Sequence, residues 1–222
     1  MIKVVPAVIP FNKSQLEEEI STVSAFADTV QVDISDGVFT RTKTWPYNGQ
    51  DKEYFEKLKS EEVGWPKWED VDVELHLMVE KPEEVLLDWV HTGISAVVCH
   101  IETISDFRKI KEICDKNEVS IGVAIKPGTD VERLEEVAGI ANFIQVMGSN
   151  ALGNHGVELD ESAIEKIKIL REKYPEKIIA IDIGVNMETK DILVEAGANK
   201  LISGSAILES QSPEEAYNEL SF

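Results

Sequence analysis

A chain of 222 residues, 43% hydrophobic and 29% charged, can bury one sizeable core but is short for two comfortable domains. Its 42 acidic residues against 22 basic ones, a net charge of -20, argue against nucleic acid and anionic membrane surfaces as partners. Two cysteines make neither a disulfide framework nor a zinc cluster, and no apolar run approaches the roughly 18 residues of a membrane span, so a reducing cytoplasm is the expected compartment.

The first apolar run covers 2–9, and a helical stripe of Leu16, Ile20, Val23 and Phe26 follows behind Ser14, which reads as its N-cap. The second run, 29–34, leads into an irregular stretch, 40–50, read as either a lid or a surface excursion. A weak helical pattern lies over 51–62 and a second irregular stretch, open to the same two readings, over 61–70. Runs at 73–78, 96–101, 119–125, 143–147, 177–183 and 200–204 complete a set of short, β-branched segments with few charges. Helical patterns at 81–93, 105–117, 129–139, 160–174, 187–198 and 212–220 separate or follow them, the first with Pro82 at its start and Gly93 at its end.

Strands alternating with helices imply parallel strands and right-handed crossovers. The economical reading is α/β, a single (β/α)8 barrel over residues 1–222, with a doubly wound open sheet as the rival. In such a barrel the chemistry sits at the C-terminal ends of the strands, where Asp33, His76, His100, Lys126 and Asp182 fall.

The stretches VDISDG, ELHLMVEKP, CHIET, GVAIKPGTD, IDIGVN and GANKLISGSAI, in that order, resemble the ribulose-phosphate 3-epimerase family over nearly the whole chain. The resemblance implies a TIM barrel of the ribulose-phosphate-binding type. It implies an isomerase that inverts C3 of a ketose phosphate through an enediolate, with Asp33 and Asp182 as the acid and base. It further implies a divalent metal (Zn, Mn, Fe or Mg) held by two aspartates and two histidines, of which Asp33, Asp182 and His76 are present. Assembly into a homo-oligomer through barrel faces is a further implication, though no seam is legible. Inversion does need one base on each face of the reacting carbon, and the enediolate needs positive charge or fixed donors as it forms.

The chain also departs from the family pattern. Gln31 stands where a metal histidine is usual and Ser35 where a methionine covers the enediolate. An amide carbonyl is a poorer ligand than imidazole for zinc, so the set Gln31, Asp33, His76 and Asp182 is expected to hold a cation more weakly. Pro10 replaces a substrate-side serine, with Asn12 or Ser14 as the available substitutes. Asp36, with Gly37, reads as a turn residue. The loop after the sixth strand, MGSNALGNHGVELD, keeps Gly148, Gly153 and Gly156 as a phosphate-cradling candidate or a plain turn, with His155 beside them. Gly184 and Asn186, then Gly204 and Ser205, are the better phosphate candidates, since they open helices on adjacent strands. Lys126 reads as a solvent-seeking strand end, an enediolate stabiliser or a Schiff-base lysine. Three functions therefore stay open: an epimerase, a sugar-phosphate lyase or decarboxylase of the same barrel type, and a non-catalytic phosphosugar-binding barrel.

Overall fold

The computed structural model describes residues 2–153 and 156–221. Eight parallel strands form a closed barrel in sequence order, which excludes the open sheet: β1 (Lys3–Val8), β2 (Thr29–Ser35), β3 (Asp72–Met78), β4 (Ala96–His100), β5 (Ser120–Ile125), β6 (Phe143–Met147), β7 (Ile178–Asp182) and β8 (Lys200–Ser203). Closure comes from β1 pairing with β8, with Lys3 opposite Lys200 and Pro6 opposite Ser203.

The helices are α1 (Lys13–Val23), α2 (Lys52–Lys59), α3 (Pro82–Val90), α4 (Phe107–Lys116), α5 (Glu161–Lys173), α6 (Lys190–Ala196), α7 (Ser205–Leu208) and α8 (Pro213–Ser221). Two local expectations fail. The N-cap of α1 is Asn12, whose side chain accepts the Gln15 N–H, and Ser14 already lies inside the helix. The segment 129–139 contains only a 3-10 turn, Val131–Leu134. Its buried residues are Val131, Leu134, Val137 and Ala138, of which only the first two fall in that turn.

The two-residue period of the strands divides the apolar residues into an outer and an inner core. Val32, Ile34, Leu75, Leu77, Val97 and Cys99 belong to the shell between sheet and helices. Met78, Val98, Ala124, Phe143 and Met147 form one inner group, and Val5, Ala7, Ala180 and Ile202 another. Gly122 makes room for this filling, since a Cβ there would lie 2.4 Å from the Phe143 ring. Below the mouth, Lys200 pairs with Glu74 and stands 4.1 Å over the Phe143 ring, a buried charge pair held inside the barrel. Both thiols are buried. Desolvation pushes Cys99 well above the ordinary thiol range and Cys114 up to about 12.

The stretch after β2 is anchored rather than free. Thr44 Oγ1 accepts the Ser35 N–H at 2.9 Å, and Thr44 N–H donates to Ser35 O at 3.1 Å. Trp45 is fully buried among Tyr54, Phe55, Trp65 and Trp89, with ring centroids 5.8–6.3 Å away. The stretch 40–50 is thus packed onto the barrel through Thr44 and Trp45 and is more than a surface excursion.

Candidate active site

Gln31 and Asp33 are two residues apart on β2, so both side chains point inward, and Asp33 is register partner to His76 on β3. Asp182 ends β7. These residues converge at the C-terminal mouth. His76 Nδ1 lies 3.1 Å from Asp33 Oδ1 and 3.4 Å from Asp182 Oδ2, and the ring is fully buried. Gln31 Nε2 donates to Asp33 Oδ1 at 2.9 Å and to Asp182 Oδ2 at 3.1 Å. Gln145 Nε2 donates to the same Asp182 oxygen at 3.1 Å.

Burial and the neighbouring Asp33 raise Asp182 to about 7, since two carboxylates facing one space in a poor dielectric do not both ionise readily. Asp182 therefore retains a proton well above the usual carboxylate range. The backbone just beyond it is strained: Ile183 has φ 79° and Gly184 has φ 76°. A left-handed isoleucine costs about 1–3 kcal/mol, a cost concentrated where such strain usually serves a site.

The donor atoms of Asp33, His76 and Asp182 all lie within 4.8 Å of one another. Gln31 supplies a further test of fit to a cation. Its amide nitrogen faces the carboxylates, and its Oε1 is buried without a hydrogen-bond partner among the described residues, as is Gln145 Oε1. A half-turn of the Gln31 amide exchanges the two atoms and brings Oε1 to the carboxylates. That arrangement needs a cation, or the Asp182 carboxyl proton, between the oxygens. The residues thus fit a divalent cation, with an amide that bridges the two aspartates when it faces them through nitrogen.

A second imidazole backs the first. His76 Nε2 lies 2.9 Å from His100 Nε2, and His100 Nδ1 lies 3.2 Å from Glu102 Oε2. Desolvation lowers His100 to about 4, whereas Glu102, despite its own burial, is lowered to about 2 by His100 and the Lys126 and Thr129 hydrogen bonds.

The mouth cavity, about 400 Å³, is lined by Asp33, His76, Met78, Met147 and Asp182 on its reactive side. Gly153, Gly156, Gly184, Asn186, Gly204 and Ser205 line it as well. Gly148 is not among its lining residues. A Cβ at 148 would lie 2.0 Å from Ile183 O, so this glycine permits β6 and β7 to approach and forms no part of the cavity wall. Its expected place in the phosphate cradle is corrected accordingly. Gly184 lines the cavity and also meets Leu159, whose Cα would lie 2.9 Å from an added Cβ. Asn186 Oδ1 accepts the N–H groups of Glu188 and Thr189 and shapes the turn before α6. His155 lies outside the described residues.

Other expectations fall away from the cavity. Asn12 and Ser14 do not line it, so neither replaces the missing serine. The Ser35 hydroxyl binds Thr40 Oγ1 and Thr42 O, tying down the excursion, while Met78 and Met147 supply apolar lining. Asp36 is a turn residue: Oδ1 accepts Val38 and Phe39 N–H, and Oδ2 accepts Glu80 N–H at 2.8 Å. Lys126 opens to a neighbouring pocket, its ammonium 4.5 Å from the centroid of the Phe39 ring. Lys126→Met is accordingly expected to change turnover less than about threefold, with any larger loss placing the ammonium in the reaction. The polar residue that sequence reasoning missed is Gln145. A lone glutamine inside FIQVM, at an inward position, was its one signal.

The sequence pattern of the ribulose-phosphate 3 epimerase family matches residues 3–208. Ribulose-phosphate 3-epimerase of Bacillus subtilis is 28% identical over 226 residues, spanning 99% of this chain and 98% of that protein. The chloroplastic ribulose-5-phosphate-3-epimerase of Arabidopsis thaliana is 30% identical, spanning 97% of this chain and 74% of that one. Among solved structures, KGPDC from Streptococcus mutans superposes with a TM-score of 0.71 at 14% identity, covering 99% of this chain and 95% of that chain. The 3-hexulose-6-phosphate synthase of Salmonella typhimurium gives 0.69 at 16% identity, covering 99% and 97%. At such low identity these two likenesses speak to the fold.

Proposed function

Since the chain belongs to the ribulose-phosphate 3 epimerase family, and is therefore an isomerase-class enzyme, we propose that it inverts C3 of a phosphorylated ketose, ribulose 5-phosphate and xylulose 5-phosphate or a close relative. The observation that carries this reading is the meeting of Asp33 and Asp182, from strands on different sides of the barrel, at one buried point. Asp182, raised to about 7, is available in its protonated form near neutral pH and serves as the acid, while Asp33 takes the C3 proton from the opposite face. In the reverse direction the two exchange duties.

Asp33, His76 and Asp182, with Gln31 through its carbonyl, are the residues that would hold a divalent cation. When bound, the cation supplies the positive charge that a developing enediolate requires. His76 contributes a fully buried, rigid ring, and Gln31 and Gln145 hold the Asp182 carboxyl by hydrogen bonds. Met78 and Met147 exclude water from the reacting carbon.

The phosphate is assigned to the other half of the cavity, at Gly184, Asn186, Gly204 and Ser205, with Gly153 and Gly156 across from them. α7 has four residues and a correspondingly small dipole, so the backbone N–H groups of both turns, rather than a helix macrodipole, carry the attraction. Exposed Glu158 and Glu209 on the rim oppose it, in a position where salt screens them. Incubation with ribulose 5-phosphate in deuterated water tests the function. The expected product is xylulose 5-phosphate carrying deuterium at C3, whereas retro-aldol fragments or binding without exchange would replace the epimerase by a lyase or a binding protein.

A further inference from the structure

Three contacts run in line from the site into the barrel wall: Asp33 Oδ1 to His76 Nδ1 at 3.1 Å, His76 Nε2 to His100 Nε2 at 2.9 Å, and His100 Nδ1 to Glu102 Oε2 at 3.2 Å. Each needs one proton. A ring that ligates a cation must be neutral, so in the state that binds one the two imidazoles own only two ring protons between them, and both ends of the line are carboxylates, which accept and do not donate. One contact is therefore left without a proton, and the far end determines which. Glu102 Oε1 accepts the Lys126 backbone N–H at 2.9 Å, which fixes the carboxylate and aims Oε2 at His100. His100 is fully buried, packed on Phe39 at 4.8 Å and stacked on His76 at 5.0 Å between ring centroids, so it has no freedom to turn away.

With His100 Nδ1–H directed to Glu102, His100 Nε2 is an acceptor, and His76 must spend its own proton on Nε2. We propose that Glu102 and His100 are positioning residues that polarise this line. They leave His76 Nδ1 without a proton, as a donor atom for a divalent cation between Asp33 and Asp182. The inference rests on the reading of His76 as part of the cation-holding set. A metal-ligating histidine needs an acceptor for its other ring nitrogen, and here that acceptor is a second histidine whose direction is set by a carboxylate.

Glu102→Gln is the discriminating change. The Lys126 N–H keeps the new side chain's carbonyl oxygen in place, so its NH2 group faces His100 Nδ1. The line then reverses: the introduced amide donates to His100, His100 to His76, and His76 Nδ1–H to Asp33. All three contacts are satisfied by two neutral rings, and nothing is left for a cation to complete. Cobalt(II) binding, followed by titration calorimetry on apo-protein, is expected to weaken about 10–100-fold. The 15N shifts of histidine-labelled apo-protein, read at alkaline pH where both rings are neutral, are expected to show His76 protonated on Nδ1 in this variant and not in the wild type. His100→Phe, which keeps the aromatic contact with Phe39 but deletes the acceptor, is expected to weaken cobalt less than Glu102→Gln. Deletion of a bias is milder than its reversal, an order that a purely structural role would not produce. Folded Glu102→Gln protein with wild-type cobalt affinity, or with the His76 ring unchanged, overturns the proposal. Wild-type protein that takes up no cobalt would instead remove the cation from the proposed function, and the ring spectra would still decide this inference.

Discussion

Asp33→Asn and Asp182→Asn are each expected to lower epimerisation of the ketose phosphate by about 10²–10⁴-fold, the range lost with a general acid or base. The informative result lies in the partial reaction. Two carboxyl groups on opposite faces serve opposite epimers, so each variant retains one competent face. Deuterium should still enter C3 of one epimer, returned to the face it left, while the other epimer remains inert. The two variants should differ in which epimer exchanges. Measurement by proton NMR in deuterated water separates this from a general collapse of the site. If both variants exchange both epimers, or the same one, the two-face assignment is wrong. Asparagine preserves shape and hydrogen-bonding capacity, so the Gln31 and Gln145 amides keep a carbonyl acceptor at either position.

The second large effect belongs to Gln31. Gln31→His is expected to tighten zinc or cobalt binding by about 10–100-fold, because imidazole outcompetes an amide carbonyl for these ions. The same change has the opposite sign without metal. It removes two hydrogen bonds from a buried amide to carboxyl oxygens, each worth about 1.5–3 kcal/mol when the partner is charged. The melting temperature in chelator should therefore fall, while in excess metal it should rise above that of the wild type. Unchanged affinity together with an unchanged apo melting temperature would mean that Gln31 does not connect the two aspartates. Glutamine here is a compromise: it is a weaker ligand, but its nitrogen joins the carboxylates when no cation does.

The barrel was legible because its signals were redundant. Each strand is an apolar, β-branched segment, and each boundary read from the sequence falls within a residue or two of the observed one. Where only a local signal existed, the reading slipped. Ser14 and Asn12 are both good caps, and their order in the chain does not reveal which side chain reaches the Gln15 N–H. At 129–139 the charges and the buried Val131, Leu134, Val137 and Ala138 suit a helix, yet the chain closes only one 3-10 turn there. Asp33, His76 and Asp182 stood out because polar residues at strand ends are costly to bury without a partner. The resemblance marked Gln31 as a substitution, but a glutamine has two unlike ends, and only coordinates reveal which one faces the aspartates. Gly148 misled for a related reason. A glycine that admits a neighbouring carbonyl looks, in sequence, like one that cradles a ligand.

The two deeply placed thiols carry a practical consequence for any redox experiment. Neither Cys99 nor Cys114 offers an appreciable thiolate, so alkylating reagents and mild peroxide find no nucleophile among the protein's sulfhydryls. Inactivation by mild peroxide that a fresh divalent-metal salt reverses would then report on a redox-active occupant of the mouth, because a metal salt does not reverse sulfoxide formation at Met78 or Met147.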